Sequence, residues 1–164
     1  MSEDRLVLID GNALLYRSFY AIQRLSTADG FPTNAIYGFL MTLRKITAEE
    51  KPRFLGVVFD TKGPTVRHDL YSAYKANRKP MPEDLVRQIP KLKEILAAMR
   101  IPVRESEGFE ADDVLGTLAA QAARRKIPTL IVSTDKDLLQ LVGPDVTVYN
   151  PSKEIRLDPE GVRA

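Results

Sequence analysis

Three short apolar runs punctuate the chain: RLVLI (5 to 9), FLGVVF (54 to 59) and TLIVS (129 to 133). Near-continuous apolar runs of this length, rich in Val, Ile, Leu and Phe, are what parallel strands buried on both faces show. VTVY, 146 to 149, is a weaker fourth candidate. Between the runs the apolar spacing becomes helical: Ala35, Phe39, Leu40, Leu43 and Ile46 form one stripe, and Leu85, Ile89, Leu92, Leu96 and Met99 another. Pro90 lies inside the second stripe, so that helix is expected to kink there or to restart with Pro90 in its first turn. A third helix is predicted from near Ala111, burying Val114, Leu115, Leu118, Ala119 and Ala122. It should end near Arg124 and Arg125, where basic residues suit the negative end of the helix dipole. Strand and helix alternate, which predicts an α/β fold: a central, mostly parallel sheet flanked by helices.

Seven acids fall where these apolar runs end. Asp10 closes LVLID, Asp60 closes GVVFD, Glu110, Asp112 and Asp113 lie in GFEADDVL, and Asp135 and Asp137 follow TLIVS. In open α/β sheets ligands bind outside the carboxyl ends of the strands, so these acids can converge on one crevice. Two carboxylates about 4 Å apart repel by roughly 4 kcal/mol at an effective dielectric near 20, and a crevice gathering several therefore calls for cations. Each acid also has a bland reading. Asp112 and Asp113 suit the first turn of a helix, with Glu110 before the cap. Glu110 and Asp113, three apart, would share a helix face, with Asp112 about 100° away. Ser133 or Thr134 can cap a short helix through Leu138, Leu139 and Leu141. Asp10 and Asp60 resist such readings, because burying an unpaired carboxylate at a strand end costs several kcal/mol. Gly11 is expected to make a tight turn that exposes the Asp10 carboxylate.

Residues 61 to 82, TKGPTVRHDLYSAYKANRKPMP, break the alternation and read as a basic loop or arch above the strand ends. From Lys62 to Lys79 five bases face a single acid, Asp69. Tyr71 and Tyr74 could stack on bases while Arg67, Lys75 and Arg78 hold phosphates. A solvated connection with its tyrosines on the core is the alternative, and both stay open. The surplus of base here contrasts with a net charge of only +2 for the chain. A positive stretch beside an acidic crevice suits a phosphodiester substrate.

Length and composition narrow the class. A chain of 164 residues suits one domain with a real core, and 44% hydrophobic with 28% charged residues is the balance of a globular protein. No segment approaches the ~18 apolar residues of a membrane span. MSEDRLVLID lacks the basic start and long apolar core of a secretory signal, so export is not expected. The absence of cysteine excludes disulfides, thiolate catalysis and cysteine-type zinc sites, and fits a reducing cytosol. An all-carboxylate site with one histidine in the chain, His68, favours Mg²⁺ or Mn²⁺ over zinc. His68 reads as structural or near DNA rather than as a ligand.

Four collinear segments, LIDGNALLYRSFYAI, VVFDTKGPTVRHDLYSAYKANRKPMP, GFEADDVLGTLA and STDKDLLQLV, together resemble the 5′ nuclease domain of bacterial DNA polymerase I. That domain belongs to the flap endonuclease and PIN-like superfamily, and the resemblance runs from Arg5 onward. It implies a PIN-like or resolvase-like fold and a metal-dependent 5′-3′ exonuclease or 5′ flap endonuclease, serving primer removal in DNA replication and DNA repair. It implies that Asp10, Asp60, Glu110, Asp112 and Asp113 form a first metal cluster, not all binding directly, and that Asp135 and Asp137 open a second. Lys75 and Arg78 in YKANR are implied to contact the scissile phosphate, catalytically alongside Asp10 and Asp60. Arg17 and Arg67 match substrate-phosphate positions, and Tyr71 and Tyr74 match possible stacking partners. The implied cofactor is Mg²⁺, replaceable by Mn²⁺, as two ions. In a two-metal site roughly 4 Å across, one ion acidifies a bound water and both neutralise the transition state, to which Lys75 and Arg78 would add positive charge. The implied partners are DNA with a 5′ flap or 5′ end and a polymerase region in cis, with no membrane, in a bacterial cytoplasm at the nucleoid.

The family continues past the point matching Ala164, with a motif resembling GDxSDNxPG and a helix-hairpin-helix-type module that grips duplex. Residues 1 to 164 are therefore expected to be a single nuclease domain lacking that module, with an incomplete second metal site, weak duplex affinity and low or Mn²⁺-dependent activity. A catalytically silent DNA-binding fragment and a PIN-like ribonuclease are the rival readings. A haloacid-dehalogenase-like phosphatase needs a second aspartate where this chain has Asn12, and no GxGxxG turn supports a dinucleotide-binding domain.

Overall fold

Alternate residues of the central strand, β1 (Leu6–Asp10), serve two different cores. Val7 and Ile9 point to one side of the sheet and Leu8 to the other, as the two-residue period of a strand requires. The computed structural model describes residues 4–61 and 80–163. The remaining elements are α1 (Gly11–Ala21), α2 (Asn34–Glu50), β2 (Phe54–Val58), α3 (Glu83–Ala98), β3 (Val103–Arg104), α4 (Ala111–Arg124) and β4 (Thr129–Val132). A 3-10 helix (Lys136–Leu141), β5 (Val146–Asn150), β6 (Ile155–Leu157) and α5 (Pro159–Arg163) follow.

Among the described residues, six strands form one sheet in the order β3-β2-β1-β4-β5-β6. The first five run parallel and β6 pairs antiparallel with β5. On one face, Val7, Ile9, Val57, Phe59, Leu130 and Val132 pack against Leu14 and Leu15 of α1, Phe39 and Leu43 of α2, and Leu85 and Leu92 of α3. On the other, Leu8, Val58, Ile131 and Val148 meet Leu115 and Ala119 of α4 and Leu138 of the 3-10 helix. The predicted α/β sheet flanked by helices is thus the observed architecture, with VTVY as a true strand. The short β3 and β6 carry too few apolar residues to stand out in the sequence.

Three helical expectations change in part. α3 runs through Pro90 as one helix and does not restart there. Pro90 is exposed, so the hydrogen bond it cannot donate is one that water replaces. Met99 does not extend the buried stripe: the helix stops at Ala98, and Met99 is its cap, 51% exposed. In α4, Leu115, Ala119 and Ala122 are buried as expected, while Val114 and Leu118 are only half-buried.

The helical face is locked by a buried polar network. Gln88 of α3 is fully buried, and its Oε1 accepts the N–H groups of Ala35 and Ile36 at 2.9 and 3.1 Å. These belong to the first turn of α2, which has no partner for them within the helix. Gln88 Nε2 donates to Asn34 Oδ1 at 2.9 Å, and Asn34 Nδ2 donates to the carbonyls of Phe19 and Ile22 at the end of α1. One glutamine thereby ties three helices together. At the opposite edge Glu50, its side chain 4% exposed, pairs with Arg5 before β1 and Arg156 of β6. No helix among the described residues is long and apolar enough to cross a membrane.

Candidate active site

β1 lies between β2 and β4, and the carboxyl ends of these three strands open into a cleft of about 490 Å³. Asp10, Asp60, Glu110, Asp112 and Asp135 line it, together with Asn12, Arg17 and Tyr20. Acids more than a hundred residues apart in sequence are thus gathered by parallel strand order alone.

Asp10 is the last residue of β1 and the N-cap of α1. Its Oδ1 accepts the N–H of Ala13 at 3.3 Å, and its Oδ2 accepts the Ser133 hydroxyl at 2.8 Å. It is only 4% exposed, so Gly11 does not turn it out to solvent. Gly11 is instead the first residue of the helix, and a Cβ there would lie 2.6 Å from Cε1 of Phe59. The glycine admits the Phe59 ring rather than making a turn. Burial pushes the Asp10 carboxyl up to about 7; the bonds from Ser133 and Ala13 oppose that shift, and the charges of Asp112 and Asp60 add to it.

Asp60, two residues past β2, is exposed and anchored by backbone. Its Oδ1 accepts the N–H of Ala111, first residue of α4, at 2.7 Å, and its own N–H donates to Asn12 Oδ1 at 2.8 Å. The carboxylate therefore sits at the positive end of α4. Glu110 is the N-cap of α4, with extended backbone, and is buried. Because it stands outside the helix, helical spacing does not govern its direction. Glu110 and Asp112 both face the cleft. Asp113, expected to share a face with Glu110, accepts the Glu110 backbone N–H at 3.3 Å and lies instead beside Phe109, Val114 and Leu118.

The β4 end contributes the remaining acids. The cap of the 3-10 helix is Asp135, whose Oδ1 accepts the Asp137 N–H at 2.9 Å, not Ser133 or Thr134. Ser133 is engaged elsewhere: its Oγ donates to Asp10 and accepts the N–H of Asp135 at 3.0 Å. Asp112, Asp135 and Asp137 each offer an oxygen, and these oxygens lie within 4.8 Å of one another. A donor set of carboxylate oxygens without nitrogen or sulfur suits a hard divalent cation.

One wall of the cleft is α1. Its core face carries Leu14, Leu15 and Ser18, while Asn12, Ala13, Tyr16, Arg17 and Tyr20 recur at helical spacing along the cleft. Arg17 is steered by Nε to Ser152 Oγ at 2.7 Å and by Nη2 to the Pro151 carbonyl at 3.4 Å. Asn12, Tyr16, Tyr20, Ser133 and Thr134 escaped the sequence reading as site residues. The signal for the first three was the polar face of the segment directly after Asp10. Arg67, His68, Tyr71, Tyr74, Lys75 and Arg78 lie outside the described residues.

Residues 5–164 match the family model described as the 5′-3′ exonuclease N-terminal, resolvase-like domain. A DNA polymerase I of Caldicellulosiruptor bescii is 47% identical over 144 residues, covering 88% of this chain and 17% of its own length. A 5′-3′ exonuclease of Aquifex aeolicus is 47% identical over 149 residues, 91% of this chain and 52% of its own length. This chain therefore spans about half of that exonuclease and under a fifth of that polymerase. Among solved structures, T5 5′-exonuclease with bound zinc ions superposes with a TM-score of 0.71 at 18% identity, over 94% of this chain and 58% of the other.

Proposed function

Since the chain belongs to the family of 5′-3′ exonuclease N-terminal, resolvase-like domains, we propose that it hydrolyses DNA phosphodiester bonds at 5′ ends and 5′ flaps with divalent metal ions. The observation carrying this reading is the convergence of Asp10, Asp60, Glu110, Asp112 and Asp135 on one cleft whose α1 wall presents Arg17. Such a crowd of carboxylates repels itself unless counter-charge or a proton offsets it, and a phosphate needs counter-charge to approach it.

Asp112, Asp135 and Asp137 would hold one ion, with Asp10, Asp60 and Glu110 the carboxylates for a second. When bound, Mg²⁺ or Mn²⁺ would supply an acidified water and neutralise charge building on the phosphoryl oxygens. The chain's own residues set the geometry. Ser133 aims Asp10, the Ala111 N–H and Asn12 hold the Asp60 segment, and Asp113 holds the Glu110 backbone. Arg17 would bind a substrate phosphate, its Nε and Nη2 already directed by the turn at Pro151 and Ser152. By the resemblance of the YKANR segment, Lys75 and Arg78 would contact the scissile phosphate and Arg67 a further one. In the same reading, residues 1 to 164 form one nuclease unit that works in cis with a polymerase region during primer removal and repair.

The test is cleavage of a 5′-labelled flap duplex with Mg²⁺, with Mn²⁺ and with EDTA, beside Asp10→Ala. Metal-dependent cutting near the junction, lost in Asp10→Ala, is expected. Preferential cutting of single-stranded RNA would assign the cleft to ribonuclease chemistry, and DNA binding without cutting by either metal would make the chain a binding fragment.

A further inference from the structure

Tyr20 is 68% exposed at the far end of α1, yet it lines the same cleft as the acids. It shares a helix face with Arg17 and Tyr16, so it belongs to the cleft wall rather than to the general surface. Its ring makes a T-shaped contact with Phe19, centroids 5.2 Å apart and planes at 88°. Such a contact uses at most one face of the tyrosine, leaving the other open among the described residues. Tyr20 stands ten residues of helix beyond Asp10, and at 1.5 Å rise per residue that is about 15 Å along the cleft. A DNA strand rises 3.4 Å per nucleotide in duplex and extends further when unpaired, so 15 Å spans at most about four nucleotides.

We propose that Tyr20 is a base-stacking platform that holds an unpaired nucleotide of the substrate strand within about four positions of the cut. The inference rests on the nuclease reading above and names what that cleft recognises beyond the phosphate. A base within duplex has both faces covered by its neighbours, whereas an unpaired base has a free face to lay on an exposed ring. The ring accepts any base, so the site would read single-strandedness and not sequence. Arg17, three residues back on the same wall, would carry the adjoining phosphate.

The experiment compares the 164-residue chain with its Tyr20→Leu and Tyr20→Phe variants in Mg²⁺ or Mn²⁺, whichever supports the faster wild-type cutting. The substrates are 5′-labelled flap duplexes with 2-aminopurine placed in turn at each of the first four unpaired nucleotides from the cut. Expected for Tyr20→Leu is a rise in KM of about 5- to 100-fold with kcat and Tm unchanged, and loss of the 2-aminopurine quenching seen with wild type. Tyr20→Phe keeps the ring and restores both KM and quenching. A Tyr20→Leu variant with wild-type KM and quenching overturns the inference and leaves the nuclease reading standing. A KM change accompanied by a lower Tm makes Tyr20 structural and overturns it too. Absence of metal-dependent cutting by the wild-type chain removes the nuclease reading and this inference with it.

Discussion

Asp60 accepts the backbone N–H of Ala111 at 2.7 Å, a bond across 51 residues that joins the end of one strand to the first turn of the helix on the far side of the sheet. It satisfies one of the N–H groups that a helix start leaves unpaired, and it aims the carboxylate into the cleft. Asp60→Ala should therefore lower metal-free stability by about 1 kcal/mol and abolish metal-dependent cleavage. Asp60→Asn keeps an acceptor for Ala111 and should recover the stability but not the cleavage. Urea unfolding in EDTA, with the flap assay alongside, separates the two effects.

Asp10 makes the metal-free protein sensitive to pH. Its folded pKa of about 7 lies above the ordinary 3.8, because burial disfavours the charged form. The folded state therefore holds a proton that the unfolded chain has released. The stabilisation is full below about pH 4 and is lost as pH rises through 7, an effect on the order of 4 kcal/mol. Melting temperature in EDTA should fall between pH 5 and pH 8, and Asp10→Asn should flatten that fall.

Ser133→Ala should act in the opposite sense to Asp10→Asn. Removing the hydroxyl deletes the donor that steadies ionised Asp10 and the acceptor of the Asp135 N–H. The expected loss is about 1 to 3 kcal/mol at pH 8 and less at pH 5, where Asp10 is protonated. Melting curves at both values check it; equal losses at the two pH values would sink the assignment.

Gln88→Leu tests the fold rather than the site. It strands the Ala35 and Ile36 N–H groups and the Asn34 amide in a dry interior. A loss of about 2 to 5 kcal/mol is expected from the urea midpoint, with Mn²⁺ affinity of the folded protein unchanged.

Gly11→Ala would place a methyl group 2.6 Å from Phe59 and should cost about 1 to 3 kcal/mol. Phe59→Leu vacates ring volume, so the double variant should be more stable than the sum of the single losses allows, a coupling read from a double-mutant cycle.

The sequence by itself determined the layers. RLVLI, FLGVVF and TLIVS are short, bounded and uniformly apolar, as strands covered on both sides are, and the stripes through Phe39, Leu92 and Leu115 supply the helices that cover them. It also marked the acids, because a carboxylate directly after such a strand stands out against its apolar neighbours. What the tertiary structure decided was direction and partnership. Asp113 turns away and Asp112 joins Asp135 because Glu110 caps the helix from outside it. Ser133 serves Asp10, 123 residues away, as well as the N–H of Asp135, rather than capping the 3-10 helix itself. Gln88 looks unremarkable in the sequence and Gly11 reads there as a turn, since their constraints come from Ala35, Ile36 and Phe59, which reach them only through packing. Periodicity is a local property of the chain, legible one segment at a time. Which side chain meets which across the sheet depends on strand order, and only the assembled fold sets that.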